Sequence, residues 1–367
     1  MQFSVLRFLR VVVLLCIFGL GSHAAVNVPA SDARYRYEGR FDDSDPVGPV
    51  IIWQGSRIHL DFEGASLELQ FTDAKGQSYF DAEIDGRLNL VEVRDGGQVK
   101  GTTFSGLGSG RHHLTLFKRS EAAAGSVRFT GVGLSDGARA FTPKAAQYKL
   151  AMQFIGDSIT AGACNEDGEE DQWEDRRTHN NARSYAAFTA AAFDANYRNI
   201  AVSGMGVSIG WTNVIAQEIW DSVYPETDSK RANLGDYTPD VVFVNLGEND
   251  DSFTQAKNLP FPSAGYTDGY VALVKSIRRA YPSARIVILR GGMFGGAKSE
   301  RLRGPWQLAV ERLEQEDPHV SHFVFQHWSS LHPRVADHRA MADELIAWLK
   351  PQSFMQAHKV ERDVPSR

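Results

Sequence analysis

The stretch FIGDSITAG (residues 154–162) decides how the chain is read. An apolar run reaches Gly156 and gives way at once to an acid, Asp157, and to two hydroxyls, Ser158 and Thr160. Strands buried on both faces of a parallel sheet read as such continuous apolar runs, and ligands gather where these strands end. A serine at that point, followed by small residues, can expose its hydroxyl at a helix N-terminus that favours negative charge. The competing reading is an ordinary Ser/Thr-rich helix cap. Threonine at position 160 rules out the G-x-S-x-G elbow.

Outward from this stretch the pattern repeats. Apolar strand candidates at 149–156, 197–204, 240–247, 284–292 and 322–326 alternate with helical periodicity at 184–195, 269–281, 306–316 and 336–349. Ser184 is a suitable N-cap for the first of these helices. Such alternation predicts a parallel sheet with helices on both faces, an α/β domain over residues 148–352. Its strand ends bring together Gly156-Asp157-Ser158, VSGMG (202–206), LGENDD (246–251) and QHWSSLHP (326–333). Gly204 can offer an unobstructed backbone N–H and Asn249 a side-chain amide to a developing oxyanion. His332, beside Pro333, is the candidate base, with His327 and His338 as its flanking competitors.

Residues 30–142 have another texture. Short alternating segments at 50–54, 57–62, 66–72, 79–85, 112–119 and 126–134 are divided by DG, DGG and GSG turns. This predicts an all-β antiparallel sandwich, a jelly roll, ahead of the α/β domain.

The four blocks GDSIT, a glycine after the second strand, Gly247-Glu248-Asn249-Asp250 and the late His332-Pro333 resemble those of the SGNH (GDSL-type) hydrolases. The segments at 39–58, 79–86 and 116–125 resemble the sandwich that precedes the hydrolase domain in family 2 carbohydrate esterases. The resemblance implies a three-layer, flavodoxin-like hydrolase domain and removal of O-acetyl groups from polysaccharides such as xylan or glucomannan. It also implies Ser158 as nucleophile, His332 as base, and an oxyanion hole made by the Ser158 and Gly204 N–H groups with the Asn249 amide. No metal or organic cofactor is expected.

One position departs from that pattern. The SGNH aspartate expected three residues before the histidine is Ser329 here. A backbone carbonyl of Trp328 or Ser329, or the Ser329 hydroxyl, is then expected to orient His332, with Asp337 as the second choice. Trp211 and Trp328 are the better candidates for a sugar-facing aromatic, with core packing an equal reading for each. Most of the acidic insert 164–183 reads as a solvated loop, although Trp173 within it could stack on a sugar.

Composition sets the remaining bounds. Arg7 and Arg10 precede an apolar core at 11–21 and small residues at 22–24, so residues 1–24 read as a secretory signal peptide, and the protein as secreted or periplasmic. The formal net charge of −6 gives no electrostatic reason to bind nucleic acid or anionic lipid. After cleavage Cys164 is the single cysteine, read as a small buried side chain that excludes an internal disulfide. The alternatives are a deacetylase of another glycan or small ester, and a carbohydrate-binding protein whose catalytic site has decayed.

Overall fold

The computed structural model describes residues 26–356. The signal-peptide reading lies outside them. No helix among the described residues is long and apolar enough to cross a membrane.

The first half is a twelve-stranded sheet in which every pairing is antiparallel, folded over one apolar core. Two segments expected as separate strands, 66–72 and 79–85, form one strand, Ser66–Ile84. Its first part pairs with Gly125–Leu134 and its second with Arg111–Lys118 and Arg87–Arg94. The polar stretch between does not end the strand but bends it. Asp73 takes a left-handed conformation (φ 50), and the partner strand carries two register shifts there. Bulges of this kind let one strand turn a corner between two faces.

The second half holds five parallel strands: β1 (Leu150–Gly156), β2 (Ala195–Ala201), β3 (Val241–Asn245), β4 (Arg285–Met293) and β5 (Val320–Ser329). Their spatial order is 2-1-3-4-5. Alternate side chains leave opposite faces of a strand. Accordingly Val242 and Val244 join a core under helices Ser263–Ala280 and Glu300–Glu316. Val241 and Phe243 join another under helices Tyr185–Ala192 and Val335–Leu349. Ser184 caps its helix as expected, accepting from Ala187 N at 3.2 Å.

Val50, Ile52, Trp53 and Ala122 of the sandwich belong to the same buried cluster as β2 and β3. Polar links frame this junction. Arg40 donates to the carbonyls of Trp220 and Ser222, and the Trp53 indole donates to Val223 O at 2.7 Å. Shared apolar burial, rather than a flexible linker, holds the sandwich against the parallel sheet.

His338, on the last of these helices, is fully buried and accepts from Tyr185 N through Nδ1 at 3.1 Å. Burial pushes its pKa down to about 3. The unfolded chain therefore binds a proton that the fold refuses between pH 6.5 and about 3, and stability is lost progressively as pH falls through that window. At pH 5 the loss from this group is about 2 kcal/mol. His338→Gln keeps an acceptor and does not titrate. Its thermal midpoint should fall less between pH 7 and pH 5 than the parent's, as calorimetry at the two pH values would show.

Candidate active site

All five strands point the same way, so the loops leaving them share one edge of the sheet. β1 ends at Gly156 because nothing larger fits. A Cβ there would lie 2.1 Å from Thr160 Oγ1 and 2.9 Å from Asn245 O. Asp157 then caps the one-turn helix Ser158–Ala161, accepting from Ile159 N at 3.0 Å. Ser158 is the first residue of that turn and is only 4% exposed.

Gly204 follows β2 with φ +82. A side chain at that φ would be strained, and a Cβ would meet both Trp211 Cβ and Thr212 Cγ2 at 3.1 Å. The loop folds back so that Trp211 N donates to Gly204 O at 2.8 Å.

The run ENDD, expected only as a loop, starts the helix Glu248–Ala256, and each of its four residues holds a different neighbour. Glu248 accepts from Gly295 N and Gly296 N after β4. Asn249 donates to Met205 O at 3.0 Å and to Asp157 Oδ2 at 3.3 Å, tying the β2 loop to the β1 loop. Asp250 accepts from Val207, Ser208 and Ile209 N–H groups at 2.8, 2.8 and 3.1 Å. Asp251 accepts from Ser299 Oγ at 2.9 Å. Acids suit the positive end of a helix, which is why so polar a run can be buried. Burial pushes the carboxyls of Asp157, Glu248 and Asp250 up. For Asp157, repulsion from the other two adds to that.

His332 lies beyond β5, and its partner corrects the sequence reading. Nδ1 is paired with Asp171 Oδ2 at 2.6 Å. Asp171 belongs to the insert at 164–183, expected to be mostly solvated. Trp328 and Ser329 instead lie in β5 opposite Gly292 and Met293. Asp337 is committed elsewhere, to His327 Nε2 at 2.8 Å and to Arg334 N at 2.8 Å. Arg334 completes the arrangement, donating to Asp171 Oδ1 at 2.7 Å and to the carbonyls of Cys164 and His332 at 3.0 and 2.9 Å. Burial alone would raise the Asp171 carboxyl. The hydrogen bonds from His332 and Arg334 outweigh it and hold Asp171 below the usual carboxylate range.

Trp173 of the same insert stacks on the His332 ring (5.6 Å between centroids, 27° between planes), with the Arg176 guanidinium 4.2 Å from its own ring. It packs on the histidine and does not present a free sugar platform. Trp211 is 51% exposed at the rim, its edge on Phe253. Trp328 is half-buried between Phe294 and Lys298.

Cys164, Asp171 and His332 each offer a ligand atom within 4.8 Å of the others. Those atoms are a poor metal site. The carboxylate is shared between imidazole and guanidinium, Arg334 would repel a cation, and burial pushes the Cys164 thiol up, away from the thiolate a metal needs.

Residues 37–143 match the family model for the carbohydrate esterase 2 N-terminal domain, and residues 154–347 that of the GDSL-like lipase/acylhydrolase family. A solved family two carbohydrate esterase from Clostridium thermocellum, in complex with cellohexaose, superposes with a TM-score of 0.76 at 30% identity, covering 86% of this chain and 98% of that one. The chain belongs to the family 2 carbohydrate esterases. Among curated relatives, this esterase is 33% identical to the cellulase/esterase CelE of Acetivibrio thermocellus, over 86% of its own length and 39% of that longer protein. It is 28% identical to an acetylxylan esterase/glucomannan deacetylase of Cellvibrio japonicus, over 84% of its own length and 87% of the relative's. The esterase thus pairs a GDSL hydrolase domain with the family's antiparallel N-terminal domain. The expected family and both fold classes agree with these findings.

Proposed function

We propose that this esterase is exported by means of residues 1–24 and removes O-acetyl groups from a plant-type polysaccharide, acetylated xylan or glucomannan, with Ser158 as nucleophile. The observation that carries the reading is the 2.6 Å pair between His332 Nδ1 and Asp171. It favours the tautomer whose Nε2 is free to take a proton from a serine hydroxyl. Ser158 Oγ attacks the acetyl carbonyl, and His332 takes the hydroxyl proton. The tetrahedral intermediate collapses, the sugar hydroxyl leaves with that proton, and the acetyl group stays on Ser158 as an ester. Water, deprotonated by His332, then releases acetate by the same steps in reverse.

The oxyanion would be met by Ser158 N–H, Gly204 N–H and Asn249 Nδ2. One Asn249 proton is directed at Asp157, whose carboxyl burial favours in its neutral form. At 3.3 Å that bond is long, so the amide can be drawn away by an oxyanion. Serine at position 329, in place of an aspartate, would favour a decayed, binding-only protein, and the pairing of His332 with Asp171 counts against that reading. The relatives' names support acetylated xylan and glucomannan as substrates.

The test is acetate release from acetylated xylan, acetylated glucomannan and a small aryl acetate, with His332→Ala as control. Release from either glycan by the parent and not by the variant supports the reading and ranks the substrates. Release from the aryl ester alone keeps the chemistry and moves the substrate to another ester. No release from any of the three overturns it.

A further inference from the structure

The sandwich sends one carboxylate into the neighbourhood of the site. Glu121 lies in the turn KRSEAA (118–123) and is 1% exposed. Its Oε2 accepts from Ser203 N at 3.1 Å, and Ser203 precedes Gly204. Its Oε1 takes Arg176 Nη1 at 3.2 Å and faces His179 Nδ1 at 3.4 Å. Arg176 and His179 both pack on Trp173, at 4.2 and 5.3 Å, and Trp173 stacks on His332. The neighbouring Arg119 extends the grip. It pairs with Asp81 in the sandwich and with Glu166 in the insert, and donates to Arg177 O at 3.0 Å.

We propose that Glu121 is a positioning residue for the esterase reaction, through which the sandwich domain sets the insert that carries Asp171 and Trp173 against His332. This rests on the functional reading above. A carboxylate buried in this way is costly unless its partners neutralise it. Here they do. Burial would raise the Glu121 carboxyl, but His179, Ser203 N–H and Arg176 bring its pKa down to about 2, so the charge persists at every working pH. An irregular insert of some twenty residues (164–183) has little strand or helix to hold it, and only short 3-10 turns are present. Backbone bonds such as Glu166 N to Thr178 O and Asn181 N to Arg119 O hold its ends, and side-chain ties hold the rest, those of Glu121 coming from another domain. The antiparallel domain is then part of the catalytic apparatus whether or not it touches glycan.

Glu121→Gln keeps the shape and an acceptor for Ser203 N–H, and removes the charge that holds Arg176 and His179. On an aryl acetate, kcat should fall about 10- to 100-fold with KM within twofold of the parent, as expected for a misplaced catalytic group. The decisive readout is non-additivity. In an Asp171→Asn background the same substitution should change kcat less than twofold, because the group it positions is already gone. A folded Glu121→Gln with parental kcat, or a loss that multiplies fully with that of Asp171→Asn, overturns the proposal. If Glu121→Gln does not fold, Arg176→Gln, changed from the insert side, is judged by the same two criteria. The parent and Ser158→Ala are run alongside. If they are equally inactive, the functional reading itself has failed; an active parent with an inactive Ser158→Ala confines any failure to Glu121.

Discussion

Ser158→Ala is expected to lower acetate release by about 10⁴- to 10⁶-fold, the largest effect of any single change in this chain. No neighbour can take over the attack. The Thr160 hydroxyl is fully buried and bonded to Tyr185 Oη at 2.9 Å. Cys164 is fully buried, and burial raises its thiol pKa, so thiolate is scarce where an ester could reach it. What remains is binding and the oxyanion donors, which alone give a small residual rate. The substitution removes one oxygen from the first residue of a one-turn helix capped by Asp157, so the fold should be unaffected. Calorimetric glycan affinity should stay within a few-fold of the parent's. Turnover that survives the substitution would show that Ser158 is not the nucleophile, and lost affinity would place the hydroxyl in ground-state binding.

The rim was legible in the sequence because strand periodicity fixes where a parallel sheet ends its strands. Gly156, Gly204 and Asn249 each occupy a position that close packing or a rigid loop imposes locally, and such constraints leave a local trace. The helix under ENDD was less visible, since its buried face is acidic and no apolar 3.6-residue period announces it. The single strand Ser66–Ile84 was read as two because its polar middle resembles a turn. Its continuity depends on partners far along the chain. The partner of His332 could not be found at all by spacing. Asp171 lies 161 positions away, in an irregular insert with seven acids and no period to separate one from another. The density of Trp, Arg and His among those acids was the one available signal that the insert packs rather than floats. Tertiary contact, which no local rule encodes, chose Asp171.

Asp171→Asn should lower kcat about 10²- to 10⁴-fold and leave KM nearly unchanged. The carboxylate does two things for His332. It accepts the Nδ1 proton, which leaves Nε2 as the base, and it stabilises the imidazolium formed as Ser158 attacks. An asparagine amide can donate to Nδ1 instead, and the imidazole then presents the wrong nitrogen to the serine. The lower end of the range is the more demanding case, because Arg334 also contacts the carboxylate and offsets part of its charge. Asp171 is held below the usual carboxylate range by His332 and Arg334, so it stays ionised from pH 5 to pH 8. Parent and variant kcat are compared at pH 8, the alkaline end of that interval, because losing a carboxylate that stabilises the imidazolium itself shifts the pH profile. Asp337→Asn is the matched control. It disturbs the His327 pair and the N-terminal cap of Val335–Leu349, and is expected to cost about 1 kcal/mol of stability while sparing kcat. If the two variants exchanged these outcomes, the orienting acid would be Asp337. If neither lowered kcat, His332 would be oriented by a backbone carbonyl, and the insert would be a wall of the cleft and no more.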